Sequence, residues 1–450
     1  MKLNNIFTTF SFLFLLYVFY RAEIFYQGTK SFYYKPYYFI SLLLILTSIL
    51  LYFFSKKART YFYLIFFSVF ISFYCYETYL YFYLKNRDNL DLTSKAIREE
   101  YINKTGMKYD TRNVLEVYGD LIKVEKKISI NLGDIGYFLN KQNNDLKLFP
   151  LAPSISNSKI IYCNENGFYA TYESDRYGFN NPDNQWDKNV IENVLIGDSY
   201  VEGSCVNRPE DISSVVRSKS GNRTLNLGVG GSGILIQLAI LEEYLKNRRV
   251  KNLILFFYEG NDLKNLKNEL DIELLRNYLF KNGYSQELIK KQDELNLILE
   301  GYLKKVFKRN LDKNKSYLVQ TDTKIKDEIV KGIKLYRARN LIFKPQMSIP
   351  QEFELSLKKI KTFAEKKNAN IYFVYLPEFK RFNSFYYSEN QFNQVKNLVL
   401  NQEILFIDTI KEVFEKEKNP LQLFPFELPG HYNLDGYKKV AETIHKFIED

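Results

Sequence analysis

Three long uncharged runs at the N-terminus limit this chain more than any other feature. Residues 3–20, 36–55 and 60–76 carry no charged side chain, and beyond the lone Glu77 the third run stays apolar to Leu84. A helix needs about 20 apolar residues to cross a bilayer, because its backbone polar groups must be satisfied without water. Each run comes close to that length, so the sequence predicts three transmembrane helices within 1–84. A cleaved signal peptide is the competing reading of the first run. Tyr20-Arg21-Ala22-Glu23 supplies no small-residue cleavage site, which argues against it.

The loops set an orientation. Lys2 and the cluster Lys56, Lys57 and Arg59 belong inside by the bias of basic residues toward the cytoplasm, against a weaker pull from Arg21, Lys30 and Lys35. Three spans then put everything after Leu84 outside the cytoplasm, a multi-pass protein with a periplasmic soluble part. In that oxidising compartment Cys163 and Cys205 are expected to pair, the alternative being two free buried thiols. No Cys-x-x-Cys or Cys/His cluster occurs, so neither a structural zinc site nor any other metal or cofactor is expected. The net charge of +11 comes from Lys scattered among Glu and Asp. That pattern describes a solvated surface, near anionic lipid or glycan, rather than a nucleic-acid-binding face.

Residues 85–158 are charged and poor in motifs, and read as a connector plus a small appended unit. From 159 to 450 the chain reads as an α/β domain. KIIYC and FYATY are strand-like. Short apolar strands follow at Asn193–Ile196, Arg223–Leu227, Asn252–Tyr258, Asn370–Leu376 and Ile404–Ile407. Between them lie helical patterns at Gly233–Asn247, 351–367 and 388–401, and a last helix at 434–448. Strands alternating with helices imply a parallel sheet covered on both faces. Residues 263–350 break the alternation and read as a helical insertion, either a lid or partner surface or a plain solvated bulge.

Four short motifs stand at the ends of these strands. Gly197-Asp198-Ser199 places a hydroxyl where a strand turns into a helix, with positive local potential for an oxyanion. Asn226-Leu-Gly228-Val-Gly230-Gly231-Ser232-Gly233 is a tight glycine turn. It also spells G-x-G-x-x-G, but the acidic partner of a dinucleotide site would be Glu259, 31 residues beyond Gly228 and too far. Gly260-Asn261-Asp262 offers a side-chain amide, and Gly430-His431 offers an imidazole before the last helix. Only two His exist, His431 and His445, so a base must be one of them, and His445 reads as a surface residue. The nucleophile elbow G-x-S-x-G is absent, because position 201 is Val and position 234 is Ile.

In order and placement the four motifs resemble the four blocks of the SGNH (GDSL-type) hydrolases, over about 190–262 and 351–450. SDRYGFNN and YEGND look like a membrane-tethered bacterial branch of that family. The resemblance implies a three-layer α/β/α domain and an esterase or O-acyltransferase. It implies Ser199 as nucleophile and His431 as general base. The oxyanion hole would be the Ser199 and Gly231 N–H groups with the Asn261 side chain. The family's acid lies two or three residues before the His, where this chain has Pro429 and Leu428. Glu427 is the nearest candidate to orient His431, ahead of Asp435, which suits the first turn of a helix; a backbone carbonyl is the remaining option. The substrate implied is an acylated surface glycan or lipid, with a membrane acyltransferase as a candidate partner. The alternative is a non-catalytic glycan- or partner-binding membrane protein on the same fold.

Overall fold

The computed structural model describes residues 2–28, 31–88, 102–103, 106, 108–133, 147–313, 328–342, 349–384 and 387–449. They form two compact units. The first holds the chain to Leu84 together with Lys324–Lys344, and the second holds the rest.

In the first unit, α1 (Lys2–Phe19), which runs on through a π-turn to Phe25, α2 (Ser31–Leu50) and α3 (Lys56–Asp88) are all long and apolar enough to cross a membrane. Most of their large side chains face outward, among them Phe10, Leu13, Phe39, Leu64 and Ile65. Such surface suits lipid rather than water. Glu77, the one acid within the third run, is buried and satisfied. It accepts from the Arg337 guanidinium at 3.0 Å and from the Ala338 N–H at 2.8 Å. Residues 328–342 thus belong with the apolar helices, and the stretch expected to form one insertion is divided between the two units.

The second unit is built on two sheets. After α4 (Val114–Leu121), strands β1 (Ile128–Ile130), β2 (Lys159–Ile161) and β3 (Thr171–Glu173) form a small sheet in that order. The β1–β2 pair is parallel, and β2–β3 is an antiparallel hairpin with Ile161 opposite Thr171. The main sheet is entirely parallel, in the order β5-β4-β6-β7-β8. Its first part runs β4 (Val190–Ile196), α5 (Ser199–Glu202), α6 (Ile212–Ser220), β5 (Thr224–Asn226), α7 (Ile234–Tyr244) and β6 (Arg249–Tyr258). Then come α8 (Asp262–Glu269), α9 (Glu273–Phe280), α10 (Gln292–Lys313), α11 (Tyr336–Ile342, in the first unit), α12 (Gln351–Lys366) and β7 (Asn370–Leu376). The chain closes with α13 (Asn390–Asn401), β8 (Leu405–Asp408) and α14 (Leu434–Glu449).

The strands are apolar on both faces because each face carries helices, as parallel sheets require. Successive residues point to opposite sides. Val194, Ile196, Leu255 and Phe257 join the core beneath α7, α9 and α12. Leu195, Ile254, Phe256 and Val374 join the core beneath α6 and α14. This is the α/β/α layering expected from the sequence. Leu299 and Leu303 of α10 pack instead against Val117, Ile128 and Ile161, covering the small sheet.

Candidate active site

Ser199 opens α5, directly after β4. Asp198 caps that turn by accepting from the Tyr200 N–H at 3.0 Å. Glycine is required nearby, at the point where β5 leads into its loop. A Cβ on Gly228 would lie 2.2 Å from the Glu202 nitrogen, so the loop reaches the Ser199–Glu202 turn only without a side chain. The SDRYGFNN segment braces the same region. Asn181 exchanges hydrogen bonds with the Asn226 backbone at 2.8 Å each, and Asn180 donates to the Glu202 carbonyl at 2.8 Å. Asp175, pushed up to about 6 by burial against four hydrogen bonds, accepts from Trp186 at 2.7 Å.

His431 precedes α14, whose start is fixed by Asn433 accepting from the Gly436 N–H at 3.0 Å. Its Nε2 lies 2.9 Å from Ser199 Oγ. Its Nδ1 lies 2.9 Å from Oε1 of Glu165, and its backbone N–H donates to Oε2 of the same carboxylate at 2.7 Å. The Tyr200 ring packs 4.8 Å from the imidazole and its hydroxyl donates to the Gly430 carbonyl at 3.3 Å, fixing the ring from a third side.

The carboxylate on His431 is therefore Glu165 and not Glu427. Glu427 is exposed at the end of the 3-10 turn Pro425–Glu427. Asp435 is exposed in the first turn of α14 and pairs with Lys439 at 3.2 Å. Glu165 arrives from the tip of the β2–β3 hairpin, in the small sheet, which is why a search near His431 along the chain misses it. A signal was present: Cys163 lies two residues before Glu165, and its disulfide to Cys205 brings the tip to the turn that follows Ser199.

The electrostatics agree with an ion pair. Burial works to raise the Glu165 carboxyl, yet the His431 charge and both His431 hydrogen bonds outweigh it and hold the group below the ordinary range. Burial works to lower the His431 imidazole, and Glu165, with smaller help from Asp198 and Glu202, carries it above its ordinary value. The donor atoms of Glu165, Cys205 and His431 lie within 4.8 Å of one another, a spacing that would suit a metal. The Cys205 sulfur is committed to the disulfide, however, so it offers no thiolate ligand.

Gly231 and Asn261 sit at the carboxyl ends of the two strands that flank β4, Gly231 in a left-handed turn with φ +73°. The neighbouring Gly230 backs directly onto the serine, its Cβ position being 3.8 Å from the Ser199 Cβ. Gly230 donates its N–H to Glu202 at 2.7 Å. Glu202 also accepts from Tyr162 at 2.8 Å, Tyr172 at 3.0 Å and Asn131, and burial pushes it up to about 7. Glu202 thus anchors the glycine turn beside Ser199. Glu259 is held by Arg381 at 3.0 Å, Tyr375 at 3.1 Å and the Glu378 N–H at 3.0 Å, so its carboxylate is not available to a ribose.

No family model and no curated protein matches this chain. Among solved structures, a protein assigned to the lipolytic G-D-S-L family from Desulfitobacterium hafniense DCB-2 aligns with 13% identity and a TM-score of 0.31, covering 58% of this chain and 99% of that one. A member of the lipolytic protein G-D-S-L family from Veillonella parvula DSM 2008 aligns with 13% identity and a TM-score of 0.30, covering 57% of this chain and 97% of that one.

Proposed function

We propose that the protein is a serine esterase or O-acyltransferase. One observation carries the reading: Ser199 Oγ and a Glu165 carboxylate oxygen each lie 2.9 Å from opposite nitrogens of the same imidazole. A carboxylate on Nδ1 selects the tautomer whose free Nε2 takes a proton from the serine. Ser199 then attacks an ester carbonyl, and His431 passes the proton to the departing alcohol. The resulting oxyanion is received by the Ser199 and Gly231 N–H groups and the Asn261 amide. Water or a sugar hydroxyl, deprotonated by His431, releases the acyl group. The three apolar helices favour a multi-pass membrane anchor. With the basic 56–59 loop inside, the site faces the periplasm and works on O-acyl groups of a surface glycan or lipid. Donor acyl groups would come from a membrane acyltransferase if transfer is the reaction.

The test is incubation of the purified full-length protein with p-nitrophenyl acetate, with and without a glycan acceptor, beside Ser199→Ala. Serine-dependent release of p-nitrophenol supports the reading, and acyl-glycan formation selects transfer. Equal release by wild type and Ser199→Ala overturns it.

A further inference from the structure

The acid of the triad stands on a hairpin outside the sheet that carries the serine. Such a tip needs an anchor, because loop tips are the least stable parts of a fold. The hairpin closes with Tyr162 N–H to the Ala170 carbonyl at 2.8 Å and Ala170 N–H to the Cys163 carbonyl at 3.0 Å. Beyond that closure lie six residues, Asn164 to Tyr169, with Glu165 second among them. On one side the tip rests on the 109–110 segment. Tyr109 donates to the Asn164 carbonyl at 3.0 Å, the Asn164 amide donates to the Asp110 carbonyl at 3.0 Å, and Asp110 N–H donates to the Gly167 carbonyl at 2.8 Å. None of these contacts reaches the serine.

On the other side, beyond the bonds of Glu165 itself to His431, the tip is tied to Cys205, while Tyr162 just before Cys163 donates to Glu202 at 2.8 Å and accepts from Ser204 at 2.6 Å. Cys163 is bonded to Cys205, with Cα atoms 4.8 Å apart, and the Asn166 amide donates to the Cys205 carbonyl at 2.9 Å. Cys205 follows the nucleophile turn directly. The Ser199 carbonyl accepts from the Gly203 N–H at 3.1 Å and the Ser204 N–H at 3.0 Å, so the path from Ser199 to Cys205 is a closed turn. Cys205 is fully buried. Its sulfur lies within 4.8 Å of the donor atoms of both Glu165 and His431.

We propose that the Cys163–Cys205 disulfide is a positioning device for the triad: it holds the Glu165 hairpin tip against His431 and so makes full activity depend on the oxidised form. This rests on the proposed acyl-transfer reading for its kinetic consequence only. Ser199, the turn to Cys205, the disulfide, Glu165 and His431 form a ring that closes at the Ser199–His431 hydrogen bond. Opening the sulfur link leaves the Asn166 amide as the remaining hydrogen bond from the tip residues 164–167 to Cys205. A displacement of about 1 Å between catalytic groups costs on the order of 10²-fold in rate. Cys163 and Cys205 act through Glu165 and touch no substrate.

The reaction that opens the link is balanced with a water-soluble trialkylphosphine as reductant. The phosphine takes the oxygen of one water and becomes the phosphine oxide, its two electrons cleave the S–S bond, and the two protons of that water complete the Cys163 and Cys205 thiols.

The experiment compares full-length wild type and Glu165→Gln, each oxidised and phosphine-reduced, in detergent. It reads ester turnover and the titration of ¹⁵N-labelled histidine, of which the chain has two. Near-UV circular dichroism monitors the fold, and Cys163→Ala/Cys205→Ala repeats the reduced state without reagent. We expect reduction to lower wild-type turnover by about 10²-fold and to leave Glu165→Gln within about twofold, since the tether works only through Glu165. The His431 titration should move down on reduction in wild type and stay still in Glu165→Gln. Equal losses in both backgrounds overturn the proposal, because the bond then stabilises the site generally. Unchanged His431 titration in the wild type overturns it, and so does loss of the folded signal on reduction, since the bond then serves folding. If no form turns over any ester, the enzymatic reading fails, and the histidine titration still decides the tether.

Discussion

Glu165→Gln is the substitution whose consequence the geometry fixes most tightly. The carboxylate receives two donors from one residue, the His431 backbone N–H at 2.7 Å and the ring Nδ1 at 2.9 Å. A glutamine of the same shape has one oxygen and one NH₂ for those two positions. The backbone N–H can only donate, so the amide oxygen must face it and the NH₂ must face Nδ1. An NH₂ at that place makes Nδ1 an acceptor and puts the ring proton on Nε2, toward Ser199. That tautomer cannot take the serine proton. The loss is the free energy of forcing the correct tautomer against an unpaired donor, together with the lost attraction between carboxylate and imidazolium. The side chains are 24% and 19% exposed, so solvent screens part of the charge effect. A fall of about 10³-fold in kcat follows, or roughly 4 kcal/mol at 1.36 kcal/mol per decade. The pH profile gives a second reading. His431 must be neutral to act as base, so kcat/KM drops as pH falls through its pKa, which Glu165 raises above the ordinary value. Removing the carboxylate charge should shift that acid limb to lower pH. The assay is p-nitrophenyl acetate hydrolysis across about pH 4 to 9, which brackets the histidine titration, with the exposed Glu427→Gln as a control expected to change little. A Glu165→Gln enzyme within about fivefold of wild type, with an unmoved acid limb, would refute the tautomer argument.

Two further outcomes follow. Asn261→Ala should lower turnover by about 10²–10³-fold, the usual loss for one oxyanion donor, with circular dichroism unchanged; a rate within about twofold makes Asn261 structural. A reporter fused after residue 90 should be active outside the cytoplasm and one placed in the 55–60 loop should be active inside, because Lys56, Lys57 and Arg59 favour the cytoplasmic face; the reverse pattern overturns the orientation.

The parallel sheet was readable because each strand is a short apolar run bounded by turn residues. Asn370–Leu376 coincides with β7, and the run at Asn252–Tyr258 is the buried part of β6. The motifs were readable because loops at strand ends carry glycines and polar residues that a strand interior rejects. The small sheet was not readable as a sheet. Its strands have three residues each, too short for periodicity, and β1 pairs with β2 across 28 intervening positions from Ile130 to Lys159. Glu165 was hidden for the same reason. Nothing in Asn164-Glu165-Asn166 reports that its partner lies 266 residues away. Long-range pairing of this kind leaves no local pattern, and the covalent clue from Cys163 was the one route to it. The division of 263–350 between two units also escaped the sequence, because the Arg337–Glu77 pair is a tertiary contact between two ordinary-looking charges.

The central claim is that Ser199 is an activated nucleophile, and covalent trapping tests it most directly. The full-length protein is treated with a fluorophosphonate, which phosphonylates a serine only where a base removes its proton. It is then digested and mapped by mass spectrometry, beside Ser199→Ala and His431→Ala. A single adduct on the peptide carrying Ser199, lost in both variants, is the predicted result. No adduct, or an adduct on Ser199 that persists unchanged in His431→Ala, would contradict the account.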